Sequence, residues 1–425
     1  MLSYLPAINH AVLLALLLLH GLLGSYCSWQ IVEHLRLRHR AIAEERRLLE
    51  REVPRGLAPH ILVQVPTFNE GRLLLRAADA LAALDWPREK LHVQILDDST
   101  EPTSRSLAQT AVQSLVTRGV DAVLLQRAHR DGFKAGALGY GLARSDHPFV
   151  AVLDADYVPP PRFLNACMVP MLAEPNLALV QGRCDFLNAE QNVLTRVQQR
   201  MLDEHFVVEQ ATRSWTGQVL PFNGTCGVWR RAAIDDAGGW HADTLSEDVD
   251  LSYRVQLRGW RARYLVTLAV PGELPDNLAA WRTQQIRWSA GLTGAGRKLQ
   301  LDLWRSRLPL TKKIIAQLHL SSIVLVAVGV IDIALYVVDV EFGVGFTWLA
   351  LLGLVAVQLQ EKGGSVVTTL LAQQTGRGAN LWSELAFLPV VAGVALYRLL
   401  LSLRGLFEGL VRRSAAFVRT PKQGA

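Results

Sequence analysis

The sequence predicts an α/β domain with a mostly parallel sheet, flanked by transmembrane helices. Three observations carry this reading. Four short runs rich in Val, Ile and Leu, "HILVQV", "LHVQIL", "DAVLLQ" and "PFVAVL", begin about 30 residues apart, the spacing of strand-plus-crossover units. Helical periodicity fills the first two gaps, in "GRLLLRAADALAAL" and "SRSLAQTAVQSLVTRG". Long apolar runs lie toward both ends of a 425-residue chain that is 50% hydrophobic.

The first apolar run, Ala11 to Val32, is long enough to span a bilayer. No charged region precedes it and the cleavage pattern of a signal peptide is poor, so it reads as an anchor. Its uncharged start and the basic exit "RLRHR" predict an outside N-terminus and a cytosolic continuation. The expected organisation is a transmembrane helix over 1–35, a basic cytosolic linker over 36–59 and the α/β domain over 60–280. Interfacial amphipathic helices follow over 281–312, transmembrane helices over 313–408 and a cytosolic tail over 409–425. Three apolar segments make up the second membrane region, and Asp332 and Asp339 blur the limits of the first. Three crossings conflict with a cytosolic tail. Either one segment is interfacial, or the weakly apolar stretch Gly364 to Gly376 hides part of another span.

Net charge is +6, with much of the excess Arg and Lys beside apolar runs, where it faces anionic lipid. No basic stripe interleaved with aromatics points to nucleic acid. Cys27, Cys167, Cys184 and Cys226 show no CxxC pairing and read as free thiols in a reducing compartment.

In open parallel sheets, ligands sit beyond the carboxyl ends of the strands. Those ends read "PTFNE", "DDST" and "DADYVPP" here, all polar. Asp154 and Asp156, at i and i+2 on an extended segment, point the same way and form a hard-oxygen pair suited to Mg2+ or Mn2+. Asp97 and Asp98 could accept hydrogen bonds from a ribose or base. Thr67 and Glu70 end the first strand, and Lys134 opens a helix where a cation could meet a diphosphate. Glu247, Asp248 and Asp250 open another helix, and a carboxylate there can act as general base. Each stretch also has an ordinary reading: a polar turn, a helix cap, a surface lysine, acids in a first helical turn. Arg287 and Trp288 of "QQIRWSAG" suit a membrane interface equally well.

As an ordered set, "VQVPTFNE", "QILDDST", "GFKAGAL", "LDADYVPP", "FNGTCGVWRRAAI", "TLSEDVDLSYRVQLRGW", "ELP" and "QQIRWSAG" resemble the inverting family 2 glycosyltransferases of GT-A fold. Among these the chain is most similar to cellulose-synthase-like polysaccharide synthases, including mannan and glucomannan synthases. The resemblance runs from Val63 to Gly291. It implies that Thr67, Glu70, Asp97 and Asp98 hold the nucleotide, with Lys134 near the diphosphate. Asp154 and Asp156 would bind the metal and nucleotide-sugar. Asp248, with Glu247 beside it, would be the general base, in "SED" where the family usually has "TED". Arg287 would neutralise the departing diphosphate, Trp288 would form the floor under the acceptor sugar and Gln284 would orient both.

The implied reaction moves a hexose from UDP-glucose or GDP-mannose to a β-linked glucan, mannan or glucomannan, with Mg2+ or Mn2+. The implied setting is an integral membrane protein, in a bacterial inner membrane, with its catalytic domain in the cytosol. Separate export or regulatory subunits would be further partners. The tail "FVRTPK" is similar to the gating loop of processive synthases, with Phe417, Thr420 and Lys422 as contacts and Arg419 and Pro421 departing from the usual residues. A glycolipid synthase acting on ceramide, diacylglycerol or polyprenyl phosphate would use the same cleft. An inactive scaffold is disfavoured because every catalytic position is filled.

Overall fold

The computed structural model describes residues 5–325, 328 and 348–411. The expected segment beyond Leu325 that contains Asp332 and Asp339, and the tail residues Phe417, Thr420 and Lys422, lie outside the described residues.

Seven strands form one sheet in the order β3-β2-β1-β4-β6-β5-β7. They are β1 (Ile61–Thr67), β2 (Leu91–Asp97), β3 (Asp121–Gln126), β4 (Phe149–Val152), β5 (Leu177–Phe186), β6 (Gly227–Arg230) and β7 (Arg261–Gly272). The four runs expected as strands pair in parallel, as β3, β2, β1 and β4. β6 is antiparallel to both β4 and β5, so the sheet is mixed. Because β6 runs backwards, the loop before it, Asn223–Cys226, reaches the edge at which β1 to β4 end.

β1 is buried throughout, as a central strand covered on both faces must be. Its alternate residues serve two cores. Ile61, Val63 and Val65 pack with Val93, Ile95, Ala108 and Leu115 on one face. Leu62 packs with Leu138, Val150 and Trp229 on the other. The crossover helices α2 (Gly71–Ala82) and α3 (Pro102–Thr117) lie where helical spacing puts them. The helix α4 (Phe133–Leu142) is fixed by a buried polar ladder. Gln64 Nε2 donates to Gln94 Oε1 at 3.0 Å and to the Leu138 carbonyl at 3.2 Å, and Gln94 Nε2 donates to the Gly141 carbonyl at 3.1 Å. A Cβ on Gly141 would stand 2.5 Å from Gln94 Oε1, so only glycine lets the helix approach this closely.

The helices α5 (Phe163–Ala173), α6 (Val193–Asp203), α7 (Gln210–Trp215) and α8 (Arg231–Asp236) follow in chain order. Two further elements position the site. α9 (Glu247–Leu257) carries the "ED" pair in its first turn. α10 (Leu278–Arg305) carries "QQIRWSAG" and opens on Asn277, whose side chain accepts from the Ala280 N–H at 2.9 Å. Gly291 of α10 lies against α9's leading residue, since a Cβ there would come 2.2 Å from Ser246 Oγ.

α1 is one continuous helix, Leu5–Leu49, and its second half is tied to the α/β domain. Glu45 accepts from Trp215 Nε1 at 3.1 Å and from Thr267 Oγ1 at 3.0 Å, and Tyr26 Oη accepts from Arg213 at 2.8 Å. The polar stretch Gly364 to Gly376 is part of a single helix, Trp348–Arg377, which packs on the α/β domain. Thr368 Oγ1 donates to Glu204 at 2.6 Å, and Gln373 and Arg377 donate to Asp203 at 3.1 and 3.0 Å. Its polarity is thus explained by protein partners. The helix Leu381–Val411 is, among the described residues, the one long and apolar enough to cross a membrane. It docks on α10 through Gly405 and Gly409, where added Cβ atoms would meet Ser289 Cβ at 2.5 Å and the Ala290 carbonyl at 2.7 Å.

Candidate active site

The ends of β1 and β2 are laced together. Asp98 N donates to the Thr67 carbonyl at 3.0 Å. Asn69, at φ +57°, accepts from the Thr100 and Glu101 amides at 2.9 and 3.1 Å. Asn tolerates this left-handed conformation better than most residues. Asp97 accepts from Ser99 N and from Gln126 Nε2, both at 2.9 Å, which ties β2 to β3. Asp98 receives the Arg127 guanidinium at both oxygens, with Nε at 2.9 Å from Oδ1, and Arg130 Nε lies 3.9 Å from Oδ2. Arg130 in turn covers the Phe68 ring, 3.5 Å from its centroid. The expected cap at Asp98 to Thr100 is displaced: α3 opens on Glu101 and Pro102. Thr67 Oγ1 is buried without a hydrogen-bond partner, beside this surface.

A second group forms around Lys134. Gly132 and Phe133, at φ +69° and +48°, turn the chain into α4 so that Lys134 enters the cleft. Its ammonium donates to Asp154 Oδ1 and to the Gly224 carbonyl at 2.9 Å. Burial works against that charge, but Asp154, and after it Glu247, holds it above the ordinary lysine range. Asp154 N donates to Thr225 Oγ1 at 2.9 Å. Asp156 is buried, with Oδ2 accepting from Glu273 N at 3.2 Å, and Glu273 pairs with Arg76 at 2.7 Å.

The third group is the start of α9 with the middle of α10. Burial raises both the Glu247 and Asp248 carboxyls. Asp248, with Glu247 as the second cause, is pushed up to about 7. Gly224, at φ +80°, leaves room for Asp248, since a Cβ there would lie 2.9 Å from Asp248 Oδ2. Burial pulls the Arg287 guanidinium down, while Glu247, Asp154, Asp248 and Glu70 counteract it. Those four acids and Lys134 therefore share one electrostatic neighbourhood with Arg287. Trp288 stands beside it, 42% exposed, and Gln284 is buried one turn earlier.

The backbone marks the same place. Among the described residues, the non-glycine positions at positive φ are Asn69, Phe133 and Cys226. Each lies within two residues of Glu70, Lys134 or Gly224. Strain of this kind persists where surrounding structure imposes it, and it clusters at functional sites. Asp154, partly exposed and facing a lysine cation, offers hard oxygen donors of the type that hold Mg2+ or Mn2+, so a divalent ion fits this donor set.

Four features escaped the motif reading: Arg127, Arg130, Asn69 and Gly224. Basic residues in "QRAHRDGF", just past β3, are the signal for the first two. Nothing local in the sequence marks Asn69 as the clasp between two loops.

Comparison with known proteins bears on the family and the fold. A mannosyltransferase from Pyrobaculum calidifontis, solved with GDP-Man and Mn2+, superposes with a TM-score of 0.56 at 18% identity, covering 92% of this chain and 99% of that one. Glucomannan 4-beta-mannosyltransferase 2 of Arabidopsis thaliana is 43% identical over 252 residues, 59% of this chain and 47% of its own. Glucomannan 4-beta-mannosyltransferase 1 of Cyamopsis tetragonoloba is 41% identical over 260 residues, 60% of this chain and 49% of its own. The chain thus spans about half the length of the curated relatives it matches. The model of "Glycosyltransferase like family 2" matches residues 58–291, which is over half of the chain. On that match, with the superposition supporting a GT-A fold, the chain belongs to the family 2 glycosyltransferases.

Proposed function

We propose that this protein transfers a hexosyl group, with mannosyl favoured, from a nucleotide-sugar to a β-linked polysaccharide. The reaction would run at the cytosolic face of a membrane. The observation that carries this reading is Asp248: a carboxyl poised near neutrality, in one cleft with Lys134, Asp154 and Arg287. Mannose is favoured by the names of the relatives over this same stretch of chain. GDP-mannose is the corresponding donor, and UDP-glucose is the competing one.

Asp248 accepts the proton of the acceptor hydroxyl. The acceptor oxygen then bonds to the anomeric carbon from the face opposite the diphosphate, as the bond from that carbon to the diphosphate oxygen breaks. An α-linked donor gives a β-linked product. Lys134 and Arg287 stabilise the charge that gathers on the leaving group, a contribution that is often the largest in catalysis. Asp154 and Asp156 would hold Mg2+ or Mn2+, which supplies further neutralisation of the diphosphate. Thr67, Glu70 and Asp98 with Arg127 line the nucleotide side, and Trp288 offers an indole face to the acceptor sugar. The helix Leu381–Val411 would cross the bilayer behind α10. α1 and the chain beyond Leu325 would supply further anchoring, and Phe417, Thr420 and Lys422 a gate.

The test is a radiolabel assay on membranes carrying the chain, with GDP-mannose and UDP-glucose supplied separately. Alcohol-insoluble label that disappears in Asp248→Asn supports the polymer synthase and names its donor. Label that partitions into organic solvent assigns the same cleft to a glycolipid acceptor. Membranes with neither product from either donor overturn the proposal.

A further inference from the structure

The catalytic cleft uses one edge of the parallel strands. The opposite edge carries a cluster of different chemistry. His60 immediately precedes β1, His92 is the second residue of β2, and His147 lies two residues before β4. Adjacent parallel strands therefore bring three imidazoles from distant parts of the chain to one spot. His60 Nδ1 and His92 Nε2 are 2.9 Å apart, and the His92 and His147 rings stack at a centroid distance of 3.9 Å. One ring nitrogen from each lies within 4.8 Å of the others.

We propose that His60, His92 and His147 form a second metal site, for Zn2+ or a similar borderline transition-metal ion. Imidazole nitrogen suits Zn2+, Cu2+ and Ni2+, whereas the Asp154 and Asp156 oxygens suit Mg2+ or Mn2+. The two sites thus take different ions. They are also far apart: at 3.3 Å per residue, about 16 Å of strand separates His92 from Asp97.

Two details favour a ligand set over a chance stack. First, His92 Nδ1 bonds Asp121 Oδ2 at 2.7 Å, and Asp121 is its direct register partner on β3. A carboxylate on one ring nitrogen fixes the tautomer and aims the other nitrogen as a donor, the usual arrangement behind a metal-bound histidine. In His92 that other nitrogen is the one facing His60. Second, the His60–His92 spacing needs little adjustment, while His147, stacked on His92 with the ring planes 21° apart, has to turn to aim a nitrogen at the same ion. Two nitrogens bound tetrahedrally at about 2.0–2.1 Å are roughly 3.3 Å apart, so His60 and His92 need open by only about 0.4 Å. The proton they share would be displaced by the ion. His147 is half-buried and His60 exposed, which leaves a fourth position for water and a route in.

The His241, Asp243 and Asp250 cluster provides a contrast. Lys298 donates to Asp243 at 2.7 Å and forms an ion pair with Asp250 at 2.9 Å, and Arg254 pairs with Asp250 at 2.8 Å. Fixed cations already balance those acids.

The experiment uses the full chain without a polyhistidine tag, stripped with chelator and titrated at neutral pH with Co2+ and then Zn2+. Expected is one equivalent of Co2+ with the strong visible absorption of four-coordination, displaced by one equivalent of Zn2+. An ion on the oxygen site would absorb only weakly. His92→Ala and the milder His147→Gln should abolish the signal, His241→Ala should keep it, and Asp121→Asn should weaken binding about ten- to a hundredfold. Circular dichroism confirms that each variant is folded. Absence of the four-coordinate signal in the natural chain overturns the proposal. So does its survival in folded His92→Ala and His147→Gln.

Discussion

Two pairs of adjacent acids face the carboxyl edge of the sheet, and their surroundings differ. At the end of β2, Asp97 and Asp98 are fully engaged: Asp97 by Ser99 and Gln126, Asp98 by the Arg127 fork. At the start of α9, Glu247 and Asp248 feel several cations at once. They share Lys134 and Arg287 with Asp154, and burial raises both carboxyls. The first pair spends its charge on holding loops. In the second, Asp248 is pushed up to about 7, which makes its ionised form basic enough to take a proton, as a general base must. On the proposed mechanism the same residue type is a clasp at one site and a reagent at the other, and the partners decide which.

The largest break in this contrast is Asp248→Asn. It keeps the shape and removes the proton acceptor, so activity should fall about a hundred- to ten-thousandfold with little change in melting temperature. Next is Arg287→Lys, which keeps a charge but loses the planar fork. The expected loss is about a hundred- to a thousandfold in kcat, read with saturating donor.

The pH dependence sharpens the same point. As the proposed base Asp248 must be ionised to act, so kcat/KM should drop tenfold per unit below about 7. Stability runs the other way. Between the ordinary Asp value of 3.8 and about 7, the folded chain keeps a proton that the unfolded chain has released. Stability contributed by this group is therefore present at the acid end of that window and lost as pH rises through about 7. In Asp248→Asn this slope should become shallower in a plot of melting temperature against pH, leaving the share of Glu247. An unchanged slope would assign it to other groups.

Much of the fold was legible in sequence, for a physical reason. Central strands such as β1 need mainly apolar runs, and the helices crossing back need a periodic face, so both leave local signatures. β6 is four residues long and takes its place through pairing with β4 and β5, which no local pattern reveals. The candidate site follows the same rule. Asp154, Asp248 and Arg287 lie in stretches whose residue types betray chemistry. Arg127 and Gly224 matter through what they touch across the fold, and touching is not written locally. The polar stretch Gly364 to Gly376 misled for that reason: it reads as a poor membrane segment because its partners, Asp203 and Glu204, lie about 160 residues away.

Arg127→Gln tests the clasp. Arg127 and Asp98 are 8% and 7% exposed, so removing the cation leaves a buried carboxylate without its main partner. Such losses cost about 3–5 kcal/mol. Melting temperature should fall clearly, KM for the donor should rise, and kcat in the remaining folded enzyme should change little. A kcat loss matching Arg287→Lys would mean that the first acid pair is a reagent after all.

The smallest expected effect lies behind the cleft. Gly405 and Gly409 let the helix Leu381–Val411 lie against α10 one turn from Arg287 and Trp288. A methyl at Gly405 would meet Ser289 Cβ and the Ile286 carbonyl, backbone that cannot retreat without moving α10. Overpacking of this kind costs about 1–3 kcal/mol. Gly405→Ala should therefore lower activity several-fold, through a shift of the helix carrying Arg287, while Asp98 and Arg127 stay in place and the KM for donor is kept. A matched substitution on the far side of the same helix, Leu400→Ala, is exposed and should do neither. If Gly405→Ala raises the donor KM and leaves kcat alone, the apolar helix positions the nucleotide side instead, and the division of labour between the two acid pairs does not extend to the helices behind them.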